Sequence, residues 1–144
     1  MIAAPPERVW ELVSDPHHLP RWWPKTSRVE DVHGGAGERR SQWTSVLASE
    51  RGGSVRADYR CTAATHGRRL VWEQEIAGTP FDRILKSASV EIGLEPRDGG
   101  TKISLTTQET LRGLSRLGSP MMRGAAGRRL DEALTGLERA LVGE

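Results

Sequence analysis

Apolar and polar side chains alternate through the middle of the chain, most clearly over residues 54 to 63. There the odd positions from Val55 to Ala63 carry the less polar side chains, and the even positions include Arg56 and Asp58. A strand with one face on a core and the other face in water has this period of two. Stronger or weaker forms of the same alternation predict further strands at residues 28–33 (a bent edge strand), 41–47, 70–76, 90–94 and 103–105.

The turns between these segments agree with the inward faces that the alternation assigns. Asp98-Gly99 is a strong signal for a two-residue hairpin loop, and it would pair Arg97 with Gly100. The turn at His66-Gly67 and a three-residue loop at residues 50–52 also bring inward residues opposite each other. At all three connections the length of the loop agrees with the inward faces of the strands it joins, so the sequence predicts an antiparallel meander.

Helical signals lie at both ends of the chain. Prolines at the start of the segment 5–15 suit the first turn of a helix, and its apolar residues then recur at helical spacing. Asp15 followed by Pro16 predicts the cap and first residue of a second, short helix that carries Trp22 and Trp23. These segments predict two short helices before the sheet.

The last segment is predicted to be one long helix. Ser119-Pro120 supplies a cap and a first-turn proline. An apolar stripe then follows at helical spacing: Met122, Ala126, Leu130, Ala133, Leu137 and Leu141. This stripe can be buried only against the dry face of the sheet, so the sequence predicts an α+β protein forming a single domain over residues 1–144.

Composition excludes several classes of protein. The 144 residues contain one cysteine and carry a formal net charge of +2, which argues against a disulfide framework, a multi-cysteine zinc site and nucleic-acid binding. The apolar runs are too short for a transmembrane helix or a secretory signal, so we expect a cytoplasmic protein. Adjacent His17 and His18 point apart on a helix, and His33, Cys61 and His66 lack ligand spacing; we expect no metal and no cofactor.

Two stretches near the start resemble a known superfamily. Residues 4–16, APPERVWELVSDP, and residues 19–24, LPRWWP, are similar to the opening of the START-like or SRPBCC superfamily, in its polyketide cyclase/dehydrase and lipid-transport branch. Residues 99–105, GGTKISL, and the closing helix resemble its last strand and lid. The resemblance implies a helix-grip fold: a curved antiparallel β-sheet wrapped around a long C-terminal α-helix, with a hydrophobic cavity between them.

One departure from that pattern concerns the first strand. Members of the superfamily have a full strand before the first helix, whereas only Met1 and Ile2 precede that helix here. Either the native chain has residues before Met1, or the first strand is truncated and leaves a neighbouring strand unpaired. A shortened first strand would expose an edge suited to forming a homodimer.

The inward faces identify candidate ligand-binding residues within the cavity that the resemblance implies. Trp43, Tyr59 and Gln74 fall in one inward row, and Trp72 falls in the next. Large apolar walls with a few oriented polar groups are typical of small-molecule pockets, so we predict that these four side chains contact a ligand. The alternative is that Trp43 and Trp72 are core aromatics and that the Tyr59 hydroxyl is satisfied locally.

Two charged residues are also predicted to point inward. Lys86 falls opposite Trp72 in the second inward row, and Glu109 has inward parity on the neighbouring strand, diagonal to Lys86. Inward charges are costly unless they are paired or solvated, so one hypothesis is an ion pair in a wet cavity that binds the ligand. In that hypothesis Glu109 and Tyr59 are the candidate catalytic groups for proton transfer. The alternative is a bulge or a frayed strand end that turns either charge to solvent.

The remaining candidates belong to the helices. Trp22 and Trp23 lie where related proteins have the cavity entrance, so one ring would be a buried anchor and the other would line the mouth. The alternative is that both rings pack beneath the first helix. Met122 and Leu130 belong to the apolar stripe of the last helix. We expect this stripe to pack in the core, and the alternative is that it covers the cavity.

Three functions follow from these observations. The first is binding of a small hydrophobic molecule, such as a polyketide, a lipid or an aromatic metabolite, between the sheet and the C-terminal helix. The second, implied by the resemblance, is a polyketide aromatase/cyclase or dehydratase that uses polar cavity residues for proton transfer. The third is an interaction module akin to the co-chaperones that activate heat-shock ATPases.

Overall fold

Six antiparallel strands form one curved sheet in which neighbours in space are neighbours in sequence. The computed structural model describes residues 2–48, 52–83, 85–111 and 119–143, without the side chains of 111–127 and 143. The strands are β1 (Thr26–His33), β2 (Gln42–Ala48), β3 (Ser54–Thr65), β4 (Arg69–Glu75), β5 (Leu85–Arg97) and β6 (Gly100–Leu111). The helices are α1 (Pro6–Ser14), α2 (Leu19–Trp22) and α3 (Ser119–Glu138), with 3-10 turns at Pro16–His18 and Pro80–Arg83 and a π-helical turn at Arg139–Gly143. The predicted α+β helix-grip fold, with a long C-terminal helix and short N-terminal helices, is confirmed.

The helices bury their apolar faces against one side of the sheet. Val9 and Val13 of α1 are fully buried, and so are Ala133 and Leu137 of α3. The predicted stripe of the last helix is therefore confirmed in its described half, while the side chain of Met122 lies outside the described residues. Asp15 caps the 3-10 turn before α2 by accepting a hydrogen bond from the backbone N–H of His17.

The pairing of the central strands follows the alternation of the sequence. Trp43 lies opposite Tyr59, and Tyr59 lies opposite Gln74, as predicted. Arg97 pairs with Gly100 across the Asp98-Gly99 turn. The β3–β4 turn is longer than predicted, and a bulge between Cys61 and Ala63 absorbs the extra residue. The strand at Thr26–His33 is an edge strand with two register irregularities, as the mixed pattern indicated.

The predicted register is wrong between β4 and β5. Trp72 lies opposite Val90, whereas the prediction placed Lys86 in that row. The connection between the strands contains the 3-10 turn Pro80–Arg83. Residues of β4 therefore pair with residues further along β5 than alternation alone suggested. A second irregularity between Leu85 and Ser87 buries Leu85 and turns Lys86 to solvent. The prediction of an inward Lys86 is therefore wrong, and the bulge alternative accounts for its position.

The residues before α1 add a short bridge to the free edge of β6. The backbone of Ile2 exchanges two hydrogen bonds of 2.9 Å with Thr101. The buried Thr101 hydroxyl also donates to the carbonyl of Ala4 at 2.7 Å. This isolated bridge stands where the resemblance implies the first strand of the sheet.

Close packing of α3 on α2 depends on the absence of a side chain at Gly136. A Cβ at this position would lie 2.5 Å from the carbonyl oxygen and 2.9 Å from the Cα of Trp22. Both are backbone atoms that a rotamer change cannot move away, so a larger residue would push the two helices apart.

We expect Gly136→Ala to lower the free energy of unfolding by about 1–2 kcal/mol. Overpacking costs roughly 1–3 kcal/mol, and a contact of 2.5 Å with a backbone atom belongs to the upper part of that range. About 1–2 kcal/mol therefore remains after the gain of about 1 kcal/mol in helix propensity. Urea denaturation measures the change. Gly53→Ala is the control, since a Cβ there would meet nothing within 4 Å. An unchanged or raised stability of Gly136→Ala would contradict the packing argument.

Candidate functional site

Two adjoining chambers lie between the sheet and α3. They share five lining residues, and they have volumes of about 280 Å³ and 510 Å³. The shared residues are Trp23, Leu47, Tyr59, Phe81 and Arg129. The smaller, inner chamber is completed by Gln74, Leu85, Ala88, Ser89, Val90, Thr107 and Glu109. The larger, outer chamber is completed by Pro24, Lys25, Ala48, Val55, Arg128 and Glu132.

The inner and outer chambers differ in exposure and polarity. The residues that belong to the inner chamber alone are all buried or half-buried, whereas those that belong to the outer chamber alone are exposed except for Pro24. Three of the latter, Lys25, Arg128 and Glu132, are charged. The site is therefore a partly enclosed, mainly apolar space that adjoins a more polar one with charged residues around it, an arrangement suited to a small molecule.

An aromatic cluster forms the floor beneath these chambers. The ring of Trp72 contacts those of Trp22, Trp23 and Trp43 at centroid distances of 6.2, 5.6 and 5.8 Å, each with edge-to-face geometry. Trp43 in turn stacks on Tyr59 at 5.9 Å with an interplanar angle of 16°. Edge-to-face and offset-stacked contacts are favourable aromatic geometries, so the cluster holds Trp23 and Tyr59 at the chamber wall.

The structure separates the predicted ligand-binding tryptophans into two groups. Trp22, Trp43 and Trp72 are each at most 5% exposed in the core and line neither chamber. Their positions match the alternative of ordinary core aromatics. Trp23 is half-buried and lines both chambers, so of the two adjacent rings Trp22 is the anchor and Trp23 faces the opening.

The predicted polar candidates also fall into two groups, inside and outside the chambers. Tyr59, Gln74 and Glu109 all line the inner chamber. Lys86 is exposed and belongs to neither chamber, and Leu130, half-buried on α3, does not line them either. The structure thus brings three of the predicted polar groups together and leaves the predicted lysine outside.

Glu109 is paired across the chamber with α3 instead of with its neighbour on β5. Its Oε1 accepts a hydrogen bond of 2.7 Å from Nη2 of Arg129. The predicted Glu109–Lys86 ion pair is therefore wrong, because Lys86 points away and Arg129 supplies the cation. A charged pair that bridges strand and helix also fixes the position of the guanidinium at the junction of the chambers.

Tyr59 keeps its proton at neutral pH. Burial raises its pKa to about 12, and the Glu109 carboxylate adds to the rise while the Arg129 guanidinium opposes it. The phenol is consequently a neutral hydrogen-bond donor, and it does not serve as a base near neutral pH.

Two side chains that line the inner chamber each carry a buried nitrogen atom without a hydrogen-bond partner among the described residues. The atoms are Nε2 of Gln74 and Nε of Arg129. Leaving a buried polar group unpaired costs about 1–3 kcal/mol. Because neither atom has accessible surface, a molecule in the chamber would pair with them only after the side chains move.

Metal-ligating and nucleophilic groups are sparse in the described part of the chain. No group of three or more His, Cys, Asp or Glu residues is placed there to hold a metal ion. Cys61 is buried, and burial raises the pKa of its thiol, which disfavours the reactive thiolate. No helix among the described residues is long and apolar enough to cross a bilayer.

Sequence reasoning missed several residues of the site. Arg129, Phe81, Leu47 and Thr107 line the chambers but were not predicted. The sequence does contain a signal for Arg129, because an inward Glu109 needs a cation and the long helix carries arginines beside its apolar stripe. Phe81 belongs to a connection without periodicity, so no pattern signalled its position.

The fold and the site together define a class: an antiparallel sheet that grips a C-terminal helix over a cavity. The family model described as polyketide cyclase/dehydrase and lipid transport matches residues 1–142. The chain belongs to this family, and the resemblance seen in its opening motifs is confirmed. No curated protein matches the sequence.

Solved structures share the fold at low sequence identity. A protein of Thermus thermophilus superposes with a TM-score of 0.76 at 20% identity, covering 98% of this chain and 92% of that one. A START superfamily protein from Mycobacterium smegmatis gives 0.75 at 16% identity, covering 97% and 91%. The di-domain ARO/CYC StfQ of the steffimycin biosynthetic pathway gives 0.76 at 11% identity, covering 97% of this chain and 48% of StfQ.

Proposed function

We propose that the protein binds a small, mainly apolar molecule in the inner and outer chambers. The observation that carries the proposal is the inner chamber: about 280 Å³ of sheltered space bounded by apolar and aromatic side chains such as Leu85, Val90 and Phe81. Filling this space removes apolar surface from water, which contributes roughly 25 cal/mol per Å². Family membership supports the same function, because the family's description includes lipid transport.

The polar groups of the inner chamber favour binding over proton transfer. Tyr59 has a pKa of about 12, so it holds its proton too tightly to act as a base near neutral pH. Glu109 already accepts a hydrogen bond from Arg129. Catalysis by a polyketide aromatase/cyclase or dehydratase and a co-chaperone-like role stay hypotheses, because no contact in the described residues favours either.

Filling the inner chamber should weaken the binding of a neutral apolar probe. Ala88 lines the chamber and lies opposite Glu109 on β6, so Ala88→Phe places a ring in the space. We expect the variant to bind the fluorophore N-phenyl-1-naphthylamine at least about tenfold more weakly, a loss of about 1.4 kcal/mol. A fluorescence titration measures the dissociation constants.

Ser87→Phe is the matched control, because Ser87 is the exposed neighbour on the same strand and lines neither chamber. It should bind the probe within about twofold of the wild-type protein. Thermal unfolding shows whether the variants fold, and Thr107→Phe replaces Ala88→Phe should the latter not do so. Equal binding by the wild-type and the filled variant would refute the proposed site.

A further inference from the structure

Two side chains of the chamber walls can donate hydrogen bonds to a ligand. The Tyr59 phenol lines both chambers and stays protonated near neutral pH. Arg129 also lines both chambers, and its side chain is 41% exposed. A hydrocarbon would leave these donors without a ligand partner, whereas an oxygen acceptor would pair with them.

The guanidinium of Arg129 has capacity for a second anionic partner. Glu109 occupies one of its nitrogens through a single hydrogen bond, from Nη2 to Oε1. A guanidinium has five N–H donors arranged as a planar fork that matches a carboxylate. The partly exposed side chain of Arg129 lies at the junction of the two chambers, since this residue lines both.

The charges around the site are consistent with an anion at that junction. The side chains that line the two chambers include the cations Lys25, Arg128 and Arg129 and the anions Glu109 and Glu132. Among the described lining residues the balance is one positive charge before a ligand binds. A cleft lined by an excess of one sign of charge attracts ligands of the opposite sign.

We propose that the ligand is an apolar molecule with one carboxylate, which Arg129 binds at the junction of the chambers while the Tyr59 phenol donates a second hydrogen bond. Its apolar body occupies the inner chamber. This inference rests on the proposed function and adds the chemical class of the ligand. Glu109 is then a positioning residue, because it holds the guanidinium without needing to contact the ligand itself.

A pair of probes that differ only in their polar group tests the inference. 2-Naphthoate and 2-naphthylmethanol share one ring system, and only the first is charged at pH 7.5. Both are titrated as competitors of N-phenyl-1-naphthylamine. We expect the carboxylate to bind at least about tenfold more tightly than the alcohol to the wild-type protein. In Arg129→Gln the two should bind within about twofold of each other.

Arg139→Gln is the control for loss of one positive charge near the end of the same helical segment. Arg139 is exposed and lines neither chamber, so this variant should retain the preference for the carboxylate. Arg129→Met keeps the apolar stem of the side chain and replaces Arg129→Gln should the latter not unfold cooperatively.

The outcomes test the proposed carboxylate ligand and the proposed binding function separately. Equal affinity of the wild-type protein for both probes, or a preference that survives loss of Arg129, would overturn the carboxylate while leaving apolar binding intact. Failure of the fluorophore and both competitors to bind would refute the proposed function and the inference together.

Discussion

Replacement of Trp72 by alanine should lower the free energy of unfolding by about 3–5 kcal/mol, the usual range for removing a buried large aromatic side chain. Trp72 is 3% exposed and stands at the centre of the aromatic cluster. Its ring contacts Trp22, Trp23 and Trp43 edge-to-face, so the substitution leaves a cavity and removes three aromatic contacts at once. Urea denaturation followed by circular dichroism measures the loss.

The adjacent Glu73 provides the control for the Trp72 prediction. It is exposed on the opposite face of β4, so Glu73→Ala should change stability by no more than about 0.5 kcal/mol. Trp72→Phe should recover part of the loss, because a smaller ring still fills some of the space. A loss for Trp72→Ala below about 1.5 kcal/mol would show that the cluster contributes little to the fold.

The position of Trp72 illustrates how far alternation predicts this fold. A period of two assigns each side chain to a face, and pairing then follows wherever a turn has a recognisable length. Trp43, Tyr59 and Gln74 were placed in one row on this basis, and the structure pairs them in that order. Alternation and turn length were sufficient to predict this pairing because β2, β3 and β4 are joined by short connections.

The same reasoning failed where connections are long or strands are irregular. The 3-10 turn Pro80–Arg83 between β4 and β5 lengthens that connection, so Trp72 faces Val90. The irregularity between Leu85 and Ser87 then reverses which face Lys86 occupies. Alternation does not reveal where a bulge lies. An inserted residue moves the side chains after it to the opposite face of the sheet without changing the types of residue in the strand.

Alternation also cannot distinguish a core residue from a cavity wall. Trp43 and Tyr59 are both inward and stacked on each other, yet Trp43 is buried and Tyr59 borders the chambers. The difference depends on how α3 packs over the sheet, which the strands do not determine. The Glu109–Arg129 pair depends on the same packing, because its two members come from β6 and α3.

This pairing links the functional site to the conformation of α3. Arg129 is held by Glu109 on one side and borders both chambers on the other. A ligand that engages Arg129 therefore contacts the sheet and the helix together. Binding of such a ligand would stabilise the folded state, since a molecule that binds only the folded protein raises its stability in proportion to the logarithm of the ligand concentration.

The phenol of Tyr59 should ionise at pH about 12 in the folded protein, compared with about 10 in the unfolded chain. Below pH 10 the phenol is protonated in both states and has no effect on stability. Between pH 10 and 12 the unfolded chain releases the proton first, so the folded state loses about 2–3 kcal/mol relative to the unfolded state. Because the chain contains one tyrosine, absorbance at 295 nm reports this ionisation directly.

Four comparisons test whether burial and the neighbouring charges raise the Tyr59 pKa. The urea-unfolded chain should titrate near pH 10, and Tyr59→Phe should lack the stability loss specific to this phenol above that pH. Glu109→Gln should lower the Tyr59 pKa, because the carboxylate that raises it is removed. Arg129→Gln should raise it, because the guanidinium that favours the phenolate is lost. A native titration near pH 10 would mean that Tyr59 faces bulk water, and the sheltered inner chamber would then not exist as described.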